Sequence, residues 1–175
     1  MKILHALRQL TVRPTLTPFR CTVIVLFATA VVFAVLAGSQ LQRHHESENE
    51  RTRDAEILAT ARSGVTAMIS IRDVSAAADV QKVLDQSTGT FKNDFQARAT
   101  AFIGVVEEAK VVTQGDVLAE GIESRTRDSA VVLVSATSTV SNAAGAADET
   151  RNWRLRVTMT DDEGQYKMSN VEFVA

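Results

Sequence analysis

An uninterrupted apolar run near the start of the chain is its clearest pattern. Residues 21–39, CTVIVLFATAVVFAVLAGS, contain no charged side chain. As a helix this run is about 28 Å long, which is close to the thickness of the hydrocarbon core of a bilayer. It therefore predicts a transmembrane helix, whose length is marked by Cys21, Phe27, Phe33 and Ser39.

The charges around this run predict its orientation. Residues 1–20 contain four basic and no acidic side chains, and the first acidic residue of the chain is Glu46. Positive flanks stay on the cytoplasmic side, so we expect a cytoplasmic basic tail at 1–20 and a single-pass protein of the plasma membrane whose C-terminal part is extracytoplasmic. Small residues before Gly38 leave cleavage as a signal peptide open, although the run and its basic flank are longer than those of a usual signal.

Helical patterns follow the apolar run. Residues 40–56 are polar and highly charged, with neither Gly nor Pro between Ser39 and Gly64, and they predict a solvated helical stalk. An apolar stripe at helical spacing begins in residues 54–58 and predicts the first helix of a domain at 57–175.

Two further helices are expected in this domain. Asp79 can cap a short second helix, which stops near the turn residues before Thr90. Thr90 opens a third helix that places Phe91, Phe95 and Phe102 on one face at amphipathic spacing.

After residue 110 the spacing of apolar residues changes from the period of a helix to the period of a strand. Residues 111–117 and 129–140 are rich in β-branched side chains and predict two strands. Residues 152–160 alternate apolar and polar side chains, as a half-buried strand does. The turn residues 161–164 (DDEG) lead into a last strand at 165–174, in which a phase shift at Ser169 and Asn170 predicts a bulge.

Helices followed by an antiparallel meander predict an α+β domain. A curved sheet with helices on one face encloses a cone, which resembles the nuclear transport factor 2-like and cystatin-like folds. Seven side chains face its interior: Phe91, Phe95, Phe102, Trp153, Met159, Tyr166 and Phe173. Two interpretations stay open, because these side chains can fill a core or line a cavity that contacts a lipid or sterol.

The charge and the cysteine content of the predicted domain argue against several classes of function. Residues 44–175 contain 21 acidic and 14 basic side chains, a net charge of −7. An acidic domain argues against binding nucleic acid and against docking on anionic headgroups. The only cysteine is Cys21, so the domain has neither a disulfide nor a thiolate metal site.

The candidate chemical groups do not form a catalytic pattern. The three histidines are His5 in the tail and His44 and His45 in the stalk, all outside the cone. Tyr166, the only tyrosine, falls on the apolar alternation of a strand, and the carboxylates fall in turns and on helix faces. We therefore expect no enzyme activity, no cofactor and no metal site.

Several segments together resemble the Mce-associated membrane proteins of actinobacteria, which accompany "mammalian cell entry" lipid importers. They lie between residues 40 and 174: AEILATARSGVTAMIS, LDQSTGTFKNDFQARATAF, VVTQGDVLAEGI, VVLVSATSTVSNAAG and RNWRLRVTMTDDEGQYKMSNVEFV. Family elements are matched by Thr88, Gly89, Phe91 and Phe95, and by Arg154, Arg156, Val157, Gly164 and Glu172. The sequence departs from the family where Tyr166 replaces the usual Trp after the hairpin turn.

The resemblance implies a non-catalytic accessory subunit. Such a subunit stabilises or organises an Mce-type complex that imports lipids or sterols, and its partners are the bilayer and the other subunits of the transporter. An alternative stays open: inner-membrane scaffold subunits of type IV secretion and conjugation machines share the same expected topology. Gene neighbourhood distinguishes the two classes.

Overall fold

The computed structural model describes residues 48–174. The predicted basic tail, the stalk up to residue 47 and the predicted span with Cys21, Phe27, Phe33 and Ser39 lie outside the described residues. Within residues 48–174, no helix combines the length and the apolar character needed to cross a membrane.

Helices come first along the described chain and strands follow. We number the helices α1 (48–68), α2 (Ala76–Asp85) and α3 (Gly89–Glu108), with a single 3-10 turn at Asp73–Ser75 before α2. The strands are β1 (Val112–Arg125), β2 (Ser129–Ser141), β3 (Glu149–Asp162) and β4 (Gln165–Phe173). They form one antiparallel sheet in the order β1-β2-β3-β4. The predicted α+β architecture is confirmed.

Alternation along the two central strands determines which face of the sheet is covered. In β2 the residues from Ala130 to Val140 are buried at every second position, and in β3 Leu155, Val157 and Met159 are buried. Val132 pairs with Val157, and Ala130 pairs with Met159, so these side chains share one face. This face forms the main core with α1, and the other face is open to solvent.

Both edge strands, β1 and β4, contain β-bulges. The register of β4 against β3 shifts between Thr158 and Met159, opposite Ser169, which confirms the bulge predicted there. β1 extends well beyond the predicted strand at 111–117. The prediction stopped too early because the register of β1 shifts twice, after Val117 and after Ile122. Each shift breaks the alternation on which a strand prediction depends.

The hairpin between β3 and β4 closes through two residues with positive φ. Glu163 has φ 57° and Gly164 has φ 85°. This is the left-handed conformation that a two-residue type I′ turn requires, and its twist matches that of the strands. The turn predicted from DDEG is confirmed.

α1 lies against the covered face and is tied to both edges of the sheet. Ile57, Ala61 and Val65 are buried in the main core. Arg53 Nε donates to the hydroxyl of Tyr166 on β4 at 2.5 Å, and the Arg62 guanidinium pairs with Glu120 on β1. Residue 53 belongs to the predicted stalk, so this part of the stalk packs on the domain.

The C-terminal end of α1 approaches β1 so closely that only glycine fits beneath it. A Cβ atom on Gly115 would lie 2.1 Å from Ile69 Cγ1 and 2.4 Å from Ile69 Cδ1. The next residue, Ser70, donates from its hydroxyl to the Gly115 carbonyl and accepts from the Gly115 amide. The absence of a side chain at residue 115 therefore sets the position of this helix end.

Asp79 stabilises the start of α2 from within the helix, so its predicted role as the capping residue was wrong. The helix starts at Ala76, and Asp79 is buried. Its carboxylate accepts bonds from the Ser75 hydroxyl at 2.7 Å, from Lys82 Nζ at 2.9 Å and from the Arg72 amide at 3.2 Å. Burial alone would raise the pKa of Asp79, but these bonds outweigh it and lower the pKa.

α3 covers the sheet less completely than its phenylalanine spacing predicted. Val106 is the one residue of α3 that is fully buried. Phe91 and Phe95 pack against the edge of the main core, whereas Phe102 is 37% exposed and Val105 is 62% exposed. The second half of this helix leaves a gap over the sheet, and this gap forms the candidate site.

Candidate functional site: an apolar cleft beneath α3

A cleft of about 340 Å³ lies where the second half of α3 passes the ends of α1 and of the sheet. This volume is within the range of small-molecule sites, which is roughly 300–1,000 Å³. The cleft is concave and opens to solvent, and side chains from two helices and all four strands of the sheet line it.

The helical walls of the cleft are aliphatic and aromatic. Met68 and Ile69 at the end of α1 form one side, and Phe102, Val105 and Val106 of α3 form the other. Val106 belongs to a small second cluster with Ile71 and Ala76, and this cluster fixes the C-terminal half of α3 to the segment after α1. Because Phe102 and Val105 turn towards the gap and not into the main core, their surface remains available to a ligand.

The sheet side of the cleft is built around Trp153 and Phe173. Their ring centroids are 5.9 Å apart, on neighbouring strands of the sheet. Trp153 Nε1 donates to the hydroxyl of the buried Ser138 at 2.9 Å, which fixes the orientation of the indole. Phe173 is 70% exposed. The sequence pattern places it inside the cone, but it lies on the edge strand β4, where the helices of residues 48–174 leave most of it exposed.

Arg151 supplies the positive charge of the cleft. It lies two residues before Trp153 on β3, so both side chains project from the same face of the sheet. Among residues 48–174, its guanidinium has neither an ion-pair nor a hydrogen-bond partner. Thr113, by contrast, donates from its hydroxyl to the Ile71 carbonyl at 3.1 Å. The cleft therefore combines apolar walls with one cationic group.

The seven side chains chosen from the sequence divide into three groups. Phe102, Trp153 and Phe173 line the cleft. Met159 and Tyr166 are buried in the main core, where Tyr166 accepts the bond from Arg53. Phe91 and Phe95 stack at 5.9 Å and border a smaller groove between α3 and β4.

Sequence reasoning missed the cationic residue and the α1 side of the cleft. The strand predicted at 152–160 began one residue after Arg151, although the alternation that marks Trp153 extends back to it. In the sequence, Met68 and Ile69 continue the apolar stripe of the first helix, and this spacing does not distinguish a cleft wall from a core. The signal for the site was therefore present in the strand, but the gap depends on how α3 packs.

The opposite face of the sheet carries a second, more open concavity of about 370 Å³ near Leu133 and Arg154. Beside it, Arg156 binds both carboxylate oxygens of Glu123, at 2.9 and 3.0 Å. These hydrogen bonds and the charge of Glu123 raise the pKa of Arg156. Arg156 on β3 thus pairs across β2 with an acid of β1, which is not an adjacent strand.

No group of three or more His, Cys, Asp or Glu side chains within the described residues could hold a metal ion. The carboxylates nearest to basic groups form pairs that connect elements of the fold. Lys167 and Asp162 lie 2.8 Å apart, and this bond lowers the pKa of Asp162 and raises that of Lys167. Arg125 bridges β1 to Glu50 and Asp54 of α1.

Comparison with known proteins identifies the family. The family model described as "Uncharacterized protein Rv1363c/MT1408-like" matches residues 19–175. The chain belongs to this family. A curated relative, "Uncharacterized protein Rv1363c" of Mycobacterium tuberculosis (strain ATCC 25618 / H37Rv), is 49% identical over 158 residues, which cover 89% of this chain and 60% of the relative. The chain thus spans less than two thirds of that relative. The resemblance to Mce-associated proteins stays a prediction.

Solved structures share the fold of the Rv1363c/MT1408-like domain. The periplasmic domain of DotI has a TM-score of 0.57 at 15% identity, over 69% of this chain and 94% of that chain. A periplasmic fragment of TraM has a TM-score of 0.55 at 7% identity, over 70% and 96%. An IcmL-like type IV secretion system protein from Legionella pneumophila has a TM-score of 0.52 at 9% identity, over 69% and 91%. At these identities the likeness shows the fold alone.

Proposed function

We propose that this member of the Rv1363c/MT1408-like family is a non-catalytic, single-pass accessory subunit of an Mce-type lipid import complex. In this proposal residues 21–39 anchor the chain in the plasma membrane, the basic tail is cytoplasmic, and the described domain acts outside the cytoplasm. The bilayer and the transporter subunits are its partners. The observation that carries the proposal is the apolar cleft beneath α3, because a cleft with one charged group suits the binding of an apolar molecule or segment.

The distribution of charge supports binding over chemistry. Within residues 48–174, five ion-paired groups of side chains connect one element to another or stabilise a single element, as in the bridge from Arg62 to Glu120 and the bond from Lys82 to Asp79. The cleft itself is lined by eleven uncharged side chains and Arg151. Acid–base catalysis needs a titratable pair within hydrogen-bonding reach, and the cleft lining presents only the guanidinium.

The sequence resemblance supplies the choice of complex. The segments that resemble Mce-associated proteins extend from residue 40 to residue 174 and include the strand that carries Arg151 and Trp153. The 49% identical relative comes from a mycobacterium, and the resemblance points to actinobacterial lipid importers. The acidic domain argues against an alternative role in nucleic-acid binding.

A clean deletion tests this function. We expect loss of the gene to lower the uptake of labelled lipid or sterol and the steady-state level of Mce proteins, and the wild-type gene to restore both. Quantitative immunoblotting separates a stabilising role, in which Mce protein falls, from an organising role, in which uptake falls alone. Unchanged uptake together with unchanged Mce abundance would rule the proposal out.

A second candidate is a scaffold subunit of a type IV secretion or conjugation machine. The observation that favours it is the fold shared with DotI, TraM and the IcmL-like protein, each of which aligns over more than nine tenths of its own length. The same likeness supports assignment to the nuclear transport factor 2-like class. Neighbouring genes for transporter permeases favour the first candidate, and neighbouring genes for conjugation ATPases favour the second.

A further inference from the structure

We propose that the cleft beneath α3 binds a single-chain anionic amphiphile, with the acyl chain between α3 and the sheet and the acidic headgroup at Arg151. This inference rests on the proposed lipid-import function and names the ligand class of its site.

The walls fit a flexible apolar chain. Met68, Ile69, Phe102 and Val105 face one another across a gap of about 340 Å³. All four are apolar, and the unbranched, flexible side chain of Met68 adapts most readily to a chain of methylene groups. Val105 is 62% exposed although it belongs to this wall, so a bound chain would remove apolar surface that the fold alone leaves in water.

The polar groups near the walls are already bonded within the protein. The Trp153 indole donates to Ser138, and the Thr113 hydroxyl donates to the Ile71 carbonyl. A ligand in this part of the cleft therefore meets no unpaired donor or acceptor from these two side chains. This selects for an apolar chain, since a polar ligand would lose its bonds to water without replacement.

Arg151 then determines the headgroup. Arg53, Arg62, Arg125 and Arg156 bond to a tyrosine or to carboxylates, whereas the guanidinium of Arg151 has no such partner in the described structure. Arg98 and Arg154 are unpaired there as well, but only Arg151 lines the cleft. Its guanidinium is a planar donor suited to a carboxylate or a phosphate. A cation beside apolar walls matches a molecule that is anionic at one end and apolar along its length, and this charge match favours an acidic lipid over a protein segment.

The single tryptophan makes the binding directly measurable. Trp153 is the only tryptophan of the chain, and it lines the cleft. A brominated fatty acid quenches indole fluorescence only at short range, so quenching reports a chain inside the cleft. The full-length chain is kept in solution with an amphipol. Three probes of equal chain length are compared below their micelle concentrations: the brominated carboxylic acid, the alcohol and the amine.

We expect the carboxylic acid to quench Trp153 at about three- to tenfold lower concentration than the alcohol, and the amine to quench least. Arg151→Gln should remove most of the preference for the acid. Arg154→Gln is the matched control, because it removes the same charge from the same strand on the opposite face and should leave the preference unchanged. Val105→Asn places a neutral polar side chain in the wall at an exposed position and should reduce quenching by all three probes.

Three results would overturn the inference. Equal quenching by acid, alcohol and amine, unaffected by Arg151→Gln, would show an apolar site without selection for an anion. No quenching by any probe would show that no amphiphile enters. Shielding of Trp153 only when a partner protein is bound would identify a protein-docking groove. Each of these leaves the accessory function intact if Mce proteins still co-purify, so the two failures are distinguishable.

Discussion

Replacing Gly115 by alanine tests how α1 is held against the sheet. The added methyl group would lie 2.1 Å from Ile69 Cγ1, far inside van der Waals contact. Ile69 is 7% exposed and lines the cleft from the end of α1, so it cannot move without disturbing the core and the site together. Gly115→Ala should therefore displace this helix end.

The expected cost follows from two opposing effects. Overpacking a core by one methyl group costs about 1–3 kcal/mol. Alanine also restricts the unfolded chain relative to glycine, which returns about 0.4–1 kcal/mol where the native backbone accepts it. The net expectation is a loss of about 1–2 kcal/mol in the free energy of unfolding. For a domain of this size that corresponds to a fall in melting temperature of roughly 4–8 °C.

Gly121 on the same strand is the matched control. A Cβ atom there would meet nothing within 4 Å, so Gly121→Ala should stay within about 0.5 kcal/mol of the wild type. The partner variant is Ile69→Ala, which removes the two atoms nearest to the added methyl group. If the clash is as described, Gly115→Ala should cost at least about 1 kcal/mol less in the Ile69→Ala background.

Urea unfolding of the full-length chain in mild detergent measures these free energies. Far-ultraviolet circular dichroism follows the helices and strands, and the fluorescence of Trp153 follows the domain. Coincident transitions from the two probes justify a two-state treatment. Equal stability of Gly115→Ala and Gly121→Ala, or strictly additive costs with Ile69→Ala, would refute the close approach of α1 to β1.

Three further substitutions test the start of α2, the bond between Trp153 and Ser138, and an exposed ion pair. Hydrogen bonds lower the pKa of Asp79 in the folded domain, so its carboxylate stabilises the fold above the unfolded pKa of about 3.9 and loses this effect as the pH falls through the lower folded pKa. Asp79→Asn should therefore destabilise the domain at neutral pH and flatten the dependence of its stability on acid pH, and an unchanged dependence would contradict this. Trp153→Phe leaves the buried Ser138 hydroxyl without its donor and should cost about 1–3 kcal/mol, less when Ser138→Ala is added; additive costs in urea unfolding would exclude the bond. Arg156→Gln removes an exposed pair with Glu123 and should lower stability only slightly, with a smaller effect in high salt; a large, salt-independent loss would show that the pair is not solvated.

Local patterns predicted the elements that obey a single rule. The alternation around Leu155 and Val157 identified β3, and the DDEG turn identified the hairpin, because both signals lie within a few residues. β1 exceeded its prediction because its register shifts after Val117 and after Ile122 hide its continuity from any periodicity of two. The prediction for Asp79 was wrong for a related reason. The residue type suggested a helix cap, but its carboxylate is buried inside the first turn of α2 and accepts hydrogen bonds there.

The sequence predicted several residues of the site but not the cleft that they form. Phe102, Trp153 and Phe173 were identified as interior aromatic residues, and all three line the cleft. The cleft exists because α3 is fixed through Val106 to a separate small cluster and does not seat its second half on the sheet. That separation depends on tertiary packing, which no spacing of apolar residues encodes. The position of Arg151 at the cleft was not predicted either, since it depends on where β3 begins.

The most direct test of the accessory function is the set of proteins that the full-length chain binds in its own membrane. The tagged chain is crosslinked in cells with a reversible reagent and purified from membranes, and its partners are quantified by mass spectrometry against an unrelated single-span protein carrying the same tag. We expect enrichment of Mce proteins and their permeases. Recovery of conjugation ATPases and secretion-channel subunits without Mce proteins, or no enrichment over the control, would contradict it.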